Sequence, residues 1–267
     1  MIRTIKEIVQ VNIRRFPITC SYAWFQLQKE NKTTDLGWFW AIAKPIFYML
    51  MFYVALSAGF RSAKNIEGMD CTYFVWLATG LTAWFYLQSQ IMGGANCFRR
   101  YRGLYKNSAF PTETIPMVVV VKSFFIHLIL LCLLMVFVML NGVKPSVYWL
   151  QLPIYMVLML LFCFLWAFAG GLLGLLSGDF LSLMRAIQPA FFWLSGIFFN
   201  SRARVRLFFH LNPITFIVEG YRNCFCFKQW IWEEPDRIKY FLIELLILFV
   251  AAMLMYRRLK PSLYEIA

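Results

Sequence analysis

The sequence predicts an all-α membrane protein. Six transmembrane helices are expected, with an N-terminal amphipathic interface helix and a re-entrant outer hairpin between spans 5 and 6. Three observations predict this class. First, mostly apolar runs occupy residues near 36–60, 71–95, 117–140, 149–176, 186–200 and 239–256. Several reach the roughly 20 residues that a helix needs to cross about 30 Å of hydrocarbon. Second, 61% of the chain is hydrophobic and only 15% charged, against about 45–50% and 25% in soluble domains. Third, the 26 Lys and Arg, set against 13 Asp and Glu, cluster between the apolar runs, where topology signals and anionic lipid headgroups use them. A β-barrel would alternate over strands of about ten residues, which Met117–Leu140 does not.

Residues 2–16 place Ile2, Ile5, Val9, Ile13 and Phe16 near one helical face, with Arg3, Lys6, Arg14 and Arg15 elsewhere. That pattern suits a helix lying along the membrane surface rather than a cleavable leader. Pro17 is expected to interrupt it, and an aromatic segment (Tyr22, Trp24, Phe25) follows. Asp35-Leu-Gly37 turns the chain into span 1, which starts with interfacial Trp38, Phe39 and Trp40. Lys44-Pro45 is expected to kink or break this span.

A polar loop, Arg61 to Asp70, leads to span 2, which fades at Gly93-Gly94-Ala95. The most basic short segment follows, Arg99 to Lys106, and then Phe110-Pro111 and Pro116. Span 3 turns at Asn141-Gly142 into span 4. Span 4 ends in small residues, with Gly170, Gly174 and Gly178 at the spacing that lets helix backbones approach closely. Packing inside the bundle is the expected use of this ladder, ahead of a dimer seam.

Span 5 is short and ends at Asn200. The segment 201–238 mixes Arg202, Arg204 and Arg206 with apolar half-helices around Asn212-Pro213, as a re-entrant hairpin would. Span 6 and a basic tail, Arg257-Arg258-Leu-Lys260, close the chain. The basic residues place both termini and the 99–106 segment in the cytoplasm, and the hairpin outside despite its own positive charge.

No Gly-x-x-x-x-Gly-Lys-Ser/Thr loop occurs, so ATP phosphates have no cradle of the usual kind here. His127 and His210 are the two histidines, and neither has a carboxylate or second histidine at catalytic or metal spacing. The seven cysteines form neither a disulfide framework nor a zinc pattern. Within the spans Lys44, Lys122, Arg185 and Glu244 are the charges. The three basic ones are explained by snorkelling, and Glu244 alone does not make an ion-coupled carrier. Aromatic side chains line three spans at positions that could form a substrate path: Phe47, Tyr48, Phe52, Tyr53, Trp84, Phe85, Phe191, Phe192 and Phe198.

Several segments together resemble the membrane subunit of ABC-2 type exporters for polysaccharides. They are Asp35-Leu-Gly-Trp38…Pro45, Gly59-Phe-Arg61…Gly68, Trp76-Leu-Ala-Thr-Gly80, Trp84-Phe85, Phe110-Pro111…Pro116, Ser177-Gly-Asp179 and Asn212-Pro213…Glu219-Gly-Tyr221-Arg222. The loop after span 1 and Trp84-Phe85 look more like the teichoic acid branch than the capsule branch. A basic residue often precedes the aspartate after span 4 in that family, whereas Gly178 does so here.

The resemblance implies a homodimer of non-catalytic six-span subunits, each docked on one of two ABC ATPase subunits that carry ATP and Mg. No cofactor on this chain and no nucleic acid partner is expected. The cargo implied is a polyprenyl-pyrophosphate-linked glycan of teichoic acid, O-antigen or capsule type, moved outward across a bacterial cytoplasmic membrane. Residues 1–34 would be a cytosolic interface segment, 35–258 the transmembrane domain and 259–267 a cytosolic tail. Within the domain, 98–110 would couple to the ATPase, and 201–238 would be the outer hairpin.

Coupling is expected from Arg99, Arg100, Tyr101, Arg102, Leu104 and Tyr105, with the three apolar side chains inserted into the ATPase. Arg14, Arg15, Lys44 and Arg99 are the candidates for the lipid pyrophosphate. Asn212, Pro213, Glu219, Tyr221 and Arg222 are the candidates for an outer gate, with Glu219 and Arg222 spaced to pair at i, i+3. Two alternatives are an ABC-2 permease for a drug or non-glycan lipid, and an ion-coupled carrier or channel needing no ATPase.

Overall fold

The computed structural model describes residues 2–32, 35–59, 71–107, 110–198, 211–260 and 263. Among them every regular element is helical. The helices are α1 (Ile2–Asn31), α2 (Trp38–Gly59), α3 (Tyr73–Ala95), α4 (Cys97–Arg100), α5 (Arg102–Asn107), α6 (Ile115–Leu140), α7 (Leu152–Leu176), α8 (Gly178–Leu194), α9 (Pro213–Arg222) and α10 (Pro235–Leu259). Short 3-10 turns, Thr112–Thr114 and Val147–Gln151, lead directly into α6 and α7.

Among the described residues four stretches are long and apolar enough to cross a membrane: Trp38–Leu56, Thr112–Leu140, Val147–Leu176 and Pro235–Leu259. The 23-residue α3 is long enough too, at roughly 34 Å, but it does not need lipid-grade apolarity. It lies at the centre, packed by α2, α6, α7, α8 and α9, so Thr79, Thr82 and Gln90 are buried in protein. Thr79 and Thr82 donate to their own helix's carbonyls, those of Trp76 and Ala78. The protein is an all-helical, multi-pass membrane protein.

α7 packs on α3 along the small-residue ladder. A β-carbon on Gly174 would come within 1.9 Å of the Ala95 carbonyl oxygen, so backbone meets backbone there. Trp166 Nε1 donating to the Ile91 carbonyl (3.1 Å) and the Cys97 thiol to that of Ala167 (3.3 Å) pin the same seam. The ladder therefore serves packing within the bundle.

Neither Pro17 nor Pro45 breaks its helix. Pro17 lies inside the single 30-residue α1. The proline ring is on an exposed stretch of the helix. Residues on both sides of it, Ile8 and Asn12 before, Thr19, Ala23 and Leu27 after, are buried against the bundle. Docking at both ends thus holds the helix through a position that lacks one hydrogen bond. Pro45 is likewise inside an uninterrupted α2.

Most of the apolar stripe read from the sequence of α1 is not the side docked on the bundle. Val9, Ile13 and Phe16 are exposed, leaving an apolar face turned away from the bundle, as an interface helix in contact with lipid requires. In the place of the expected span 5, α8 starts earlier, at Gly178 with the Ser177 hydroxyl as its N-cap, and ends at Leu194. The polar loop 61–70 and residues 199–210 lie outside the described residues.

α1 is fastened by two ionic contacts. Glu30 accepts from Lys122 Nζ of α6 at 2.9 and 3.0 Å and also pairs with Arg100. Near the other end Lys260 joins Glu7 (3.1 Å) and Glu113 (3.4 Å), while Asn12 donates to the Glu113 carbonyl (3.1 Å). Lys122 is buried and paired rather than snorkelling. Its partner lies 92 residues away in sequence.

A prediction follows from the α3–α7 seam. Gly174→Ala is expected to lower the melting midpoint of the detergent-purified protein, because overpacking of this kind costs about 1–3 kcal/mol. Gly103→Ala, where nothing lies within 4 Å, should leave the midpoint unchanged or raised. Equal midpoints for both variants would contradict the close backbone contact.

Candidate functional site

A cleft of about 610 Å³ opens between α2, α3, α6 and α8. Each helix contributes one stripe at helical spacing. From α2 come Lys44, Tyr48 and Phe52, and from α8 Arg185, Gln188 and Phe192. Trp84, Phe85, Gln88 and Ser89 come from α3, and Ser123, Ile126, His127 and Leu130 from α6.

The ends of the bundle are defined by α1. The Trp38 ring at the start of α2 packs on Trp24 of α1, and Asn12 reaches the segment before α6. The ends of α3 and α7 meet there too, since Arg99 Nη2 donates to the Leu175 carbonyl (3.3 Å). In this frame the cleft is graded. Lys44, Arg185, Gln88, Ser89 and Ser123 occupy the half nearer α1, while Phe52, Trp84, Phe192 and Leu130 occupy the far half. The described lining residues include two cations and no Asp or Glu.

Of the aromatic path residues, Tyr48, Phe52, Trp84, Phe85 and Phe192 line this cleft. Phe198 is buried behind them, its ring 5.1 Å from Phe52 and 4.9 Å from Phe192. Phe191 packs partly buried against the main core. Tyr53 leaves the cleft to pack on Phe74 at 4.3 Å, and Phe47 lies exposed on the outer side of α2. Of the pyrophosphate candidates only Lys44 lines the cleft. Arg14 and Arg15 are on the exposed face of α1, and Arg99 caps α7 as described. Arg185, His127 and Ser123 were not singled out for the path. The stripe Arg185, Gln188, Phe192 mirrors Lys44, Tyr48, Phe52, and that paired pattern is the signal that could have found Arg185.

Behind the cleft lies a buried ionic knot on α9. Asn212 caps this helix by accepting from Ile214 N–H (3.0 Å) and donates to the Leu194 carbonyl (3.2 Å), while Pro213 occupies the first helical position. Arg222 is fully buried. It pairs with Glu219 at 2.9 Å, the i, i+3 contact anticipated above. It also donates to the carbonyls of Gly196 (2.7 Å), Ile197 (2.6 Å) and Trp76 (3.4 Å), and its guanidinium lies 3.5 Å above the Trp76 ring. A β-carbon on Gly80 would fall 2.7 Å from Arg222 Nη2, so this face of α3 must stay bare. Arg237 stands 4.0 Å from the other Glu219 oxygen and pairs with Glu234 at 3.0 Å. His127 links knot and cleft, its Nε2 being 2.7 Å from the Tyr221 hydroxyl.

The coupling segment requires a correction. Tyr101 and Tyr105 are buried. Tyr101 packs edge-on against Tyr22 of α1, and the Tyr105 hydroxyl donates to the Phe98 carbonyl (3.3 Å). Leu104 packs partly buried on the same cluster. Burial pushes the Tyr101 hydroxyl up to about 12, so it stays neutral. A lone aromatic-rich helix turn carries no sign of which way its apolar face points. Here the exposed side holds Arg99, Arg100, Arg102 and Lys106.

These features describe a helical membrane protein with a graded cleft, in a chain whose sequence has no Gly-x-x-x-x-Gly-Lys-Ser/Thr loop. No protein-family model matches the chain. It is 21% identical over 240 residues to the O-antigen export system permease protein RfbA of Myxococcus xanthus, covering 88% of each chain. Two proteins of the same name from Klebsiella pneumoniae are each 25% identical, over 46% and 52% of this chain. The resemblance to ABC-2 type polysaccharide export permeases is borne out by these similarities.

Arg222→Met is expected to destabilise the protein by about 3–5 kcal/mol, because it strands a buried carboxylate and buried carbonyls. The folded fraction after size-exclusion chromatography should collapse. A monodisperse, normally melting variant would mean that the knot contributes little.

Proposed function

We propose that this chain is the membrane-spanning, non-catalytic permease subunit of an ATP-driven ABC exporter that moves a lipid-linked polysaccharide to the outer face of the bacterial cytoplasmic membrane. The observation that carries this reading is the graded cleft: two cations with no opposing acid near the α1 end, then aromatic walls beyond. A phosphate-bearing lipid head suits the first half, since Arg and Lys meet phosphate oxygens with charge-assisted hydrogen bonds. Sugar rings suit the second, where aromatic faces offer apolar contact without tight anchoring. The relatives' shared name, O-antigen export permease, favours an O-antigen type of cargo over teichoic acid or capsule.

In this reading α2, α3, α6, α7, α8 and α10 are the six spans of a transmembrane domain covering 35–258. The buried α9 and the turn after it belong to the re-entrant outer hairpin. Both termini and the α4–α5 segment are cytoplasmic, by the excess of Arg and Lys at the α1 end. Two copies of the chain assemble with two ATPase subunits. The exposed outer side of α2, which includes Phe47, Leu50, Met51 and Val54, is available to a second copy or to lipid. With its aromatic face turned inward, α4–α5 offers the ATPase a basic surface of Arg99, Arg102 and Lys106, suited to acidic side chains.

The test is reconstitution of the chain with its ATPase and a labelled lipid-linked oligosaccharide, read by lectin access at the outer leaflet. ATP-dependent exposure is expected, and Lys44→Gln with Arg185→Gln should cut it about tenfold or more, the loss of one or two charged hydrogen bonds. ATPase binding should be unchanged in that variant. Wild-type export from the double variant would sink the assignment of the cleft, and ion-driven flux from the chain alone would favour a carrier. Charge reversal at Arg99, Arg102 and Lys106 should weaken co-purification of the ATPase. Retained complex formation would refute basic-surface docking.

A further inference from the structure

At the end of the bundle opposite α1, three aromatic rings form one pile on the surface. The Trp230 and Trp232 rings are stacked nearly parallel, centroids 4.6 Å apart with planes 9° apart. Tyr148, just before α7, packs on Trp230 at 5.0 Å. Trp232 is 61% exposed, and the turn Ile231–Glu233 that carries it buries no residue.

This exposed turn is nevertheless held firmly. Gln151, buried under it, donates to the Gln229 carbonyl (2.6 Å) and accepts from Ile231 N–H (2.9 Å). The Glu233 carboxylate accepts from Trp230 N–H at 3.1 Å. Lys228 adopts a left-handed backbone, φ 51°, which turns the chain out of the buried π-helical segment Asn223–Phe227. Structure is thus spent on presenting an indole face, not on filling a core.

Three occupants could use such a face. Tryptophans of the membrane belt place an amphipathic ring at headgroup level; here the Trp230 and Trp232 rings stack on each other, and Lys228, Glu233 and Asp236, close by in sequence, are exposed. A protein partner needs about 1,200 Å² or more of total buried surface, and two indoles supply a few hundred Å² at most. A pyranose matches in size and chemistry. Its C–H face packs on an aromatic face, and its hydroxyls pair with charged donors and acceptors of the kind carried by Lys228, Glu233 and Asp236, exposed on the same short segment.

We propose that Trp232, backed by Trp230 and Tyr148, forms a carbohydrate-binding platform separate from the graded cleft. Sugar binding stands on this geometry alone. That the sugar is exported cargo meeting the platform as it emerges rests on the function proposed above.

The test uses the full chain with its ATPase in nanodiscs and saturation-transfer NMR with lipid-free trisaccharides: maltotriose, chitotriose and a rhamnose trisaccharide. Transfer is expected to at least one, concentrated on C–H protons of one ring face. It should fall roughly fivefold in Trp232→Ala and be largely kept in Trp232→Phe. Transfer to none of the three, or equal transfer with Trp232→Ala, overturns the platform. Absent transfer combined with strong quenching of Trp232 by headgroup-brominated lipid identifies a membrane-belt residue instead, which also overturns it. The Lys44→Gln, Arg185→Gln variant should keep its transfer. If ATP-driven export is absent while transfer persists, the export reading fails and the platform stands. If export is normal and transfer is absent, the reverse holds.

Discussion

A backbone carbonyl inside a bilayer-embedded protein has no water to fall back on, and this fold breaks helices within its interior. α8 ends at Leu194, and the chain bends at Ser195 and Gly196. The carbonyls of Gly196 and Ile197 are therefore left without helical partners in a low-dielectric setting, where each would cost several kcal/mol if unmet. Arg222 meets both, borrows the Trp76 carbonyl as well, and has its charge balanced by Glu219. Helix α8 can end inside the protein because one guanidinium meets the carbonyls that follow it. Lysine could not substitute, since a single ammonium cannot span that planar set of acceptors while lying on an indole face.

The same residue ties the interior to the cleft. α9 carries Arg222 beside Tyr221, and Tyr221 meets His127 in the cleft wall. α3 runs between cleft and knot, giving Trp84 and Phe85 to the former and Trp76 and Gly80 to the latter. A movement of α9 would have to break contacts with α3 and with the end of α8 together. Cleft shape and the position of α9 are therefore mechanically linked.

At the α1 end the arrangement is ionic rather than aromatic. Glu30 holds Lys122 and Arg100, so α1, α6 and the basic segment are joined at one residue. On the other side of α1, Val9, Ile13 and Phe16 are exposed, as lipid contact along a membrane surface requires.

Patterns local to the chain were enough for the helical membrane class, the long apolar helices to within a few residues, the turn at Asn141-Gly142 and the Glu219–Arg222 pair. Each of these depends on hydropathy or on neighbours within one helical turn. Direction was not legible in that way. Tyr101 faces inward onto Tyr22 of α1 and Tyr105 onto Phe98, Pro17 stays helical because docking holds both flanks, and Lys122 is paired because Glu30 arrives from another element. The cleft likewise gathers five of nine anticipated aromatics and adds Arg185, since which faces meet depends on how α2, α3, α6 and α8 are rotated about their axes. Helical periodicity says which residues share a face. Only packing between distant segments says what that face looks at.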